Sequence, residues 1–430
     1  MTTATPTPAP TLIPFAEALE PIAMPGWFAD ARAQALREFM RDGLPGSGKE
    51  DWKYTSLAHL ERIALHPPRA HSVATVCPDV AVCLGHILAF LNGQLTCHGT
   101  HLANQLAGTL QHLADSQMVR RHLGRVAEGR ALVNLNQALW QDGVCLHVPA
   151  GIKVHLPVYA QFNADEADAM LHPRTLAVVE RDGEAVLVEH FLGQTDSPYW
   201  QNAVTEIVLE AGAQLTHIRI VEEGGAATHT GLTAVHQARD SRYHALNLTL
   251  GGRVVRHDLD VVLAEEGAQA SLDGVFIADG RRGADQHLRV THHAPRTRSR
   301  TLYRGLADGR GRGVFDARVV VHSHAAGADA RQSSRNLLLS PHAEIDAKPQ
   351  LEIYTDDVKC GHGATVGRLD EGALFYLKSR GIDDLTARRL LMESFVGEAL
   401  GLLQDGGLGD WLMPRLLAHL PGQHVTEPQP

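Results

Sequence analysis

Residues 145–160 read CLHVPAGIKVHLPVYA: an apolar strand, a corner carrying Gly151, and a second apolar strand. The phrase returns as LAVVERDGEAVLVEHFL (176–192), EIVLEAGAQLTHIRIV (206–221), DVVLAEEGAQASLDGVF (260–276) and NLLLSPHAEIDAKPQLEIY (336–354). With Gly151, Gly183, Gly212, Gly267 and His342 as corner residues, the steps are 32, 29, 55 and 75, the last two close to two and three units of about 25–27. A repeat of ~20–50 residues marks stacked architectures. From Val144 to about Tyr354 the chain is short strands rich in Val, Ile, Leu and Thr, with no convincing helix. The spacing predicts a β-helix, in which each coil buries its inward side chains on the next. An ordinary β-sandwich, with strands every ~8–12 residues, is the competing architecture.

Outward from this block the texture changes. Phe28, Ala31, Ala35, Leu36, Phe39 and Met40 recur at helical spacing until Gly43 and Pro45 stop the run, so residues 15 to about 62 read as helical. Leu106–Trp140 reads the same way, with strands and loops expected over 63–104. After Asp370 helices return. Asp383 or Asp384 caps one in which Ala387, Leu390, Leu391, Ser394 and Phe395 share a face, and a last helix runs from about Asp410 to Leu420. The expected organisation is a disordered tail (1–14), a mainly helical N-terminal region (15–143), a parallel β-helix core (144–365) and a C-terminal helical region (366–422), followed by a polar tail.

The chain has 430 residues, 44% hydrophobic, which allows two or three domains or one long domain with helical ends. A net charge of −10 argues against a general nucleic-acid or acidic-membrane binder. No apolar run approaches the ~18–20 residues of a membrane span, and the first fourteen residues lack the basic start and apolar stretch of a secretory signal. Five cysteines, odd in number and sparse, fit a reduced cytosolic protein better than a disulfide scaffold.

Several motifs invite a chemical reading. Gly43-Leu-Pro-Gly-Ser-Gly-Lys49 has phosphate-loop spacing up to Glu50, which stands where Ser or Thr would hold Mg²⁺. A helix precedes it instead of a strand, so it reads as a glycine-rich helix stop, and ATP hydrolysis belongs to a partner. No G-x-S-x-G elbow, H-E-x-x-H pair or C-x-x-C motif occurs. Asp258 and Asp260 share one face of a strand, a placement for Ca²⁺ or acid–base work that is commoner as a solvated edge. His292-His293 and His322-Ser-His324 offer imidazoles to a metal, the second pair from one strand face; isolated histidines on β-coils are more often hydrogen-bonded surface residues.

The segment LEIYTDDVKCGHGATVGRLDEGALFYLKSRGI (351–382) is the most informative. Cys360 stands two residues before His362, with Gly361 and Gly363 permitting a sharp bend. A thiolate and an imidazole this close can hold a borderline metal or iron, with the remaining ligands from elsewhere in the fold or a second chain. The ordinary alternative is a buried Cys and a hydrogen-bonded His.

This segment resembles the C-terminal signature of the SufB/SufD family of iron–sulfur cluster assembly proteins. The match runs through Asp356–Cys360, His362–Gly367, Leu369-Asp370-Glu371, Leu374–Leu377 and Ser379–Ile382. Leu302–Gly305, Gly313-Val314-Phe315, Asn336–Ser340 and Glu50-Asp51-Trp52-Lys53-Tyr54-Thr55 extend it, so it covers about residues 27–400. The type is SufD-like: D-V-K-C-x-H-G-A-T-V-G is intact, and Leu377 stands where SufB-like chains carry the cysteine associated with cluster building. Gly361 replaces the usual Ser, and Ser334-Arg335 replaces Asn-Lys; neither removes a candidate ligand.

The resemblance implies a right-handed parallel β-helix flanked by α-helical regions, in agreement with the repeat. It further implies a cytoplasmic scaffold without turnover or bound nucleotide of its own. It would pair with a SufB-like subunit as a heterodimer and engage SufC-type ABC ATPases through the C-terminal helical region, and ATP binding would shift the two scaffold chains. A transient Fe–S cluster would form at the SufB–SufD interface, with His362 as this chain's first candidate ligand and Cys360 as the second. A homodimer is expected when the partner is absent. Two other readings stay open: a β-helical carbohydrate-active enzyme, and a homodimeric SufB-like cluster carrier.

Overall fold

Glu184, Gln214, Arg242, Gln269, Arg298, Asp329 and Lys359 occupy one register position in seven successive parallel strands, at steps of 30, 28, 27, 29, 31 and 30 residues. That column is the coil repeat of a β-helix. The computed structural model describes residues 26–69, 85–98, 106–193, 196–403 and 407–422. The N-terminal tail expected over 1–14 lies outside these, as do residues 15–25 of the first expected helix, much of 63–104, and 423–430 of the final tail.

Strands β1 (His86–Leu91), β2 (Gln94–His98) and β3 (Ala107–Thr109) precede the solenoid. Its eight coils are β4 (Gly143–Val148) with β5 (Val158–Ala164), then, after the short β6 (Met170–Leu171), β7 (Arg174–Val179) with β8 (Glu184–Gly193), β9 (Trp200–Leu209) with β10 (Gln214–Glu222), β11 (Thr228–Gln237) with β12 (Arg242–Thr249), β13 (Val254–Leu263) with β14 (Gln269–Ala278), β15 (Gly283–His292) with β16 (Arg298–Ala307), β17 (Arg312–Val321) with β18 (Ala328–Leu338), and β19 (Glu344–Ile353) with β20 (Val358–Gly367). Two facing sheets result, in the orders β2-β1-β5-β8-β10-β12-β14-β16-β18-β20 and β19-β17-β15-β13-β11-β9-β7-β4-β3. All pairs between coils are parallel; only β2 and β3, at the first end, pair antiparallel. The β-sandwich alternative is thereby excluded, since sandwiches are built from antiparallel sheets.

The corners explain both the success of the repeat reading and its error. Gly151, Asp182, Gly212, Asp240, Gly267, Arg296 and Gly327 all have positive φ, from 54 to 76°. They stack coil on coil through backbone bonds such as Gly212 N to Arg239 O (2.8 Å) and Asp240 N to Glu266 O (3.0 Å). Glycine alternates with a side-chain-bearing residue because a Cβ at Gly212 or Gly267 would lie 2.2 or 2.0 Å from Oδ1 of Asp182 or Asp240. The corner residue is thus Asp182, not Gly183. His342 lies between β18 and β19, at the opposite corner, so its step of 75 is not a whole number of coils and the repeat is 27–31 rather than 25–27.

Inside, stacked apolar columns run along the lumen. Phe90, Phe162 and Phe191 stack with centroids 5.2 and 5.1 Å apart, and the same core runs on through Leu146, Val148 and Leu187 to Val290 and Val321 in the later coils. Outside, α5 (Glu371–Ser379), α6 (Asp384–Gly397) and α7 (Gly407–Ala418) contribute Ala387, Met392, Val396, Leu412 and Leu416 to a core they share with the outward Ile218, Ile220, Leu246, Leu248, Ile277 and Leu306. Asp383 is the N-cap of α6, accepting from Thr386 N at 3.0 Å. The buried face of α6 is rotated from the expected one: Leu390 and Ser394 are exposed, while Met392 and Val396 are buried. Glu222 clamps α7 to β10, accepting from His190 (2.6 Å), Arg415 (3.1 Å) and His419 (3.0 Å).

The N-terminal region keeps α1 (Gly26–Asp42), capped by positive-φ Gly43 whose N donates to Phe39 O at 2.7 Å. The second expected helix is three short ones, α2 (Leu110–Leu113), α3 (Gln117–His122) and α4 (Ala131–Leu139). Ser116 caps α3 anew, and positive-φ Gly124 and Gly129 break the run. The intervening loop is pinned to β9 by the buried carboxylate of Glu206. It accepts from Gly124, Val126 and Ala127 N at 2.8–3.1 Å and pairs with buried Arg174. Cys145 and Cys360 are free thiols and Cys97 is disulfide-bonded, a departure from the expectation of a reduced protein.

Two outcomes follow for stability. Gly267→Ala forces an L-residue into the left-handed region at a crowded corner and should cost about 1–2 kcal/mol, while Gly225→Ala, in open space, should be near neutral; urea midpoints compare the two. Burial works to raise the pKa of Glu222, but its bonds to His190 and His419 hold it well below the ordinary value. A depressed carboxylate stabilises above its unfolded pKa of ~4.3, and that stability is lost as pH falls below it. Melting temperatures taken from pH 7 to pH 3 should therefore fall more steeply for the native chain than for Glu222→Gln.

Candidate functional site at the open end

The solenoid stops at its eighth coil. Among the described residues β19 and β20 pair only backwards, with β17 and β18, leaving one edge of each strand unpaired. Inward side chains that are sealed in earlier coils emerge here: Val321 is 0% exposed, but its neighbour one coil on, Ile353, is 40% exposed, and Val366 reaches 43%; Tyr354, just after β19, is 61% exposed. Unpaired edges and open apolar residues together form a template for another strand.

Cys360 and His362 lie on β20. Gly361 and Gly363 make no bend; the segment is a continuous strand in register with β18. Strand side chains alternate, so Cys360, His362, Ala364 and Val366 share the lumenal face, stacked on Ala330, Gln332, Ser334 and Asn336. A Cβ on Gly361, Gly363 or Gly367 would meet nothing within 4 Å, so the opposite face of the strand is open. Cys360 is half-buried against the lumenal core and His362 is exposed. Burial pushes the Cys360 thiol above its ordinary pKa, against a backbone hydrogen bond at Ala330, and Asp329 adds to the rise. The free chain therefore presents a thiol rather than a thiolate, beside an imidazole in water.

Behind this face the lumen is polar to a degree the sequence did not announce. Glu189 accepts from Thr175 (2.6 Å), Thr205 (2.9 Å) and His217 (2.8 Å), and His217 also meets the Tyr243 hydroxyl at 3.0 Å. Arg219 is buried beside His229; burial lowers its pKa to about 10, which leaves it cationic at neutral pH. Further along, Asn247 donates to Tyr303 at 3.0 Å, and Asn336 Nδ2 donates to Thr365 O on the last strand at 3.1 Å. Alternation hid these residues because both faces of β8, β10 and β12 are covered, so polar no longer means outward.

The other candidates resolve differently. Asp258 and Asp260 are not a solvated edge. They line a cleft of about 240 Å³ under the N-terminal segment, Asp258 bonded to Arg256 (2.9 and 3.0 Å) and Asp260 to Arg130. Burial opposes it, but Arg256 holds Asp258 below its ordinary pKa, while burial raises Asp260. His292 is buried and bonded to Thr297 and Ser299, both at 2.8 Å. His322 and His324 sit in the corner after β17 rather than on a strand face, and with His293 form a ring cluster at 4.6–5.6 Å between centroids. Among the described residues no three His, Cys, Asp or Glu side chains are placed to hold a metal ion, and no helix is long and apolar enough to cross a membrane.

The Glu50–Thr55 motif is a strap across the outer wall. The Arg256 guanidinium lies 3.9 Å from the centre of the Trp52 ring and donates to Asp51 O, Thr55 donates to Asp285, and Glu50 reaches Lys348 of the last coil at 3.1 Å.

Comparison with known proteins bears on this geometry. Residues 162–395 match the SufBD core domain of SUF-system FeS cluster assembly. The chain is 32% identical to an iron–sulfur cluster assembly SufBD family protein of Synechocystis, over 83% of each chain. It is 30% identical to the iron–sulfur cluster assembly protein SufD of Escherichia coli, over 90% of this chain and 92% of that one. The SufD of Bacillus subtilis is 27% identical over 74% and 73% of the two chains.

The raised thiol predicts slow alkylation. Cys360 in the folded chain should react with iodoacetamide at a half-maximal pH above the ~8.5 of a free thiol, while Cys145, buried and pushed up to about 12, stays unmodified. Mass spectrometry of chains quenched from pH 7 to 10 reads both sites.

Proposed function

Because the chain belongs to the SufBD family of the SUF iron–sulfur cluster assembly system, we propose that it is the SufD-type scaffold subunit of a cluster-building complex. The open end of the solenoid carries this reading: two unpaired strand edges, apolar residues brought to the surface, and His362 with Cys360 on the last strand. A SufB-like chain adds its own last coil to β19 and β20, exchanging exposed edges for ladder bonds. The nascent cluster is the cargo of that junction, not a resident cofactor. His362 supplies a neutral imidazole and Cys360 supplies a thiolate once iron displaces its proton. Two ligands are too few for a cluster iron, so the rest come from the partner. Without a SufB-like chain, the same edge pairs with a second copy.

The C-terminal helices are the second docking element. Phe375 is 76% exposed and Tyr376 is exposed on α5, and Leu385 and Leu390 are exposed on α6, whose C-cap Glu398 is held to the solenoid by Arg304; Glu222 holds α7. This surface takes a SufC-type ABC ATPase, which supplies the nucleotide chemistry; motion in the ATPase pair reaches the scaffold through these rigidly seated helices. This chain performs no turnover itself and works in the cytoplasm.

The test is co-expression with SufB-like and SufC-like partners and anaerobic purification through a tag on this chain. The expected product is a complex with iron and sulfide, lost when the SufB-like chain is omitted. His362→Ala should leave melting and partner recovery unchanged and cut cluster yield, and Cys360→Ser should cut it less. A chain that binds neither partner nor iron would overturn the reading.

A further inference from the structure

Of the three polar side chains beneath β20 on the lumenal face, two are committed. Ser334 and Asn336 bond each other at 3.0 Å, and Asn336 also donates to Thr365 O. Gln332 is different. It is 5% exposed, and its side-chain oxygen is sealed from solvent with no hydrogen-bond partner. An unpaired buried amide oxygen costs about 1–3 kcal/mol, so its persistence calls for a donor that the isolated chain does not hold in place.

The register shows where that donor stands. Gln332 pairs with His362 across the β18–β20 ladder, both on the lumenal face, with backbones ~4.8 Å apart as in any adjacent strands. Directly opposed side chains on one face of a sheet are near neighbours. On the other side of Gln332 lies Thr301, itself buried. Cys360 is one lumenal position away and its S–H is a weak donor.

We propose that Gln332 is the positioning residue for His362, its side-chain carbonyl accepting the ring N–H that iron does not use. The inference rests on the reading of His362 as an iron ligand. Imidazole ligates through one nitrogen while the other carries the proton, and an acceptor for that proton fixes both the tautomer and the ring plane. An amide does this without adding charge, which suits a site whose thiolate and sulfide are already anionic. In the free chain the ring is exposed and the Gln332 oxygen is unpaired; binding of iron at the junction brings the two together.

The experiment uses the full chain in complex with its SufB-like and SufC-like partners, ¹⁵N-labelled at histidine and titrated anaerobically with Fe(II). Ring-nitrogen signals of His362 are assigned by their loss in His362→Ala. Gln332→Leu should melt normally, redistribute the two His362 tautomers and weaken Fe(II) binding about 10- to 100-fold, the usual effect of losing such a partner. Gln332→Glu keeps an acceptor in the same shape and should retain the native tautomer and bind iron. If Gln332→Leu unfolds, Gln332→Glu decides alone: weak iron binding in that folded variant overturns the proposal. Native iron binding and tautomer in a folded Gln332→Leu would overturn it as well. Undiminished iron binding in His362→Ala would instead remove the ligand reading beneath it; loss there, with none in Gln332→Leu, removes Gln332 alone.

Discussion

Each coil of this protein satisfies the backbone hydrogen bonds of the coil before it, and that single dependence sets the rest. A stack so built has two ends. The first ends in the antiparallel strands β2 and β3. The last has no further strand paired to it among the described residues, and an unpaired parallel edge is a standing invitation to association. The open end, with exposed apolar residues beside it, gives a further strand a place to continue the stack.

The same dependence explains why the distinctive residues gather where they do. A lumenal position in the middle of the solenoid is sealed by coils on both sides, so a histidine there, such as His217, is consumed by its neighbours. On the last strand the same position is half-open. His362 occupies the lumenal row of Gln332, Thr301 and Leu272, yet it is exposed. It keeps the rigid placement of a strand residue and the accessibility of a loop residue, a combination suited to holding a cluster between two chains. The C-terminal helices pack on the outer face of the sheet that carries this strand, and the Glu50–Thr55 strap packs on the facing sheet.

The β-helix was legible because its corners repeat a chemical need, left-handed backbone at fixed intervals. Glycine was the visible half of the pattern; Asp182, Asp240 and Arg296 meet the same need and were invisible to a search for glycine. His342 belongs to the other corner, and only strand register reveals that. Helix ends were harder, because Leu106–Trp140 carries apolar spacing through Gly124 and Gly129, where the backbone reverses. In the candidate site, Cys360 and His362 were singled out by their spacing and family likeness, and both lie on the last strand. The supposed bend was wrong because glycine permits a turn without requiring one. The lumenal network of Glu189, His217 and Arg219, and Gln332 with it, was missed because strands covered on both faces lose the alternation that assigns a side.

The central claim is that the last coil is an unfinished sheet which a SufB-like chain completes. Amide hydrogen exchange over 344–367 tests it most directly, measured on this chain alone, diluted until it is monomeric, and again with the partner bound. The account predicts faster exchange in β19 and β20 than in β15 to β18 for the monomer, and strong protection of both strands on binding. Equal protection in the monomer and no change on binding would contradict it.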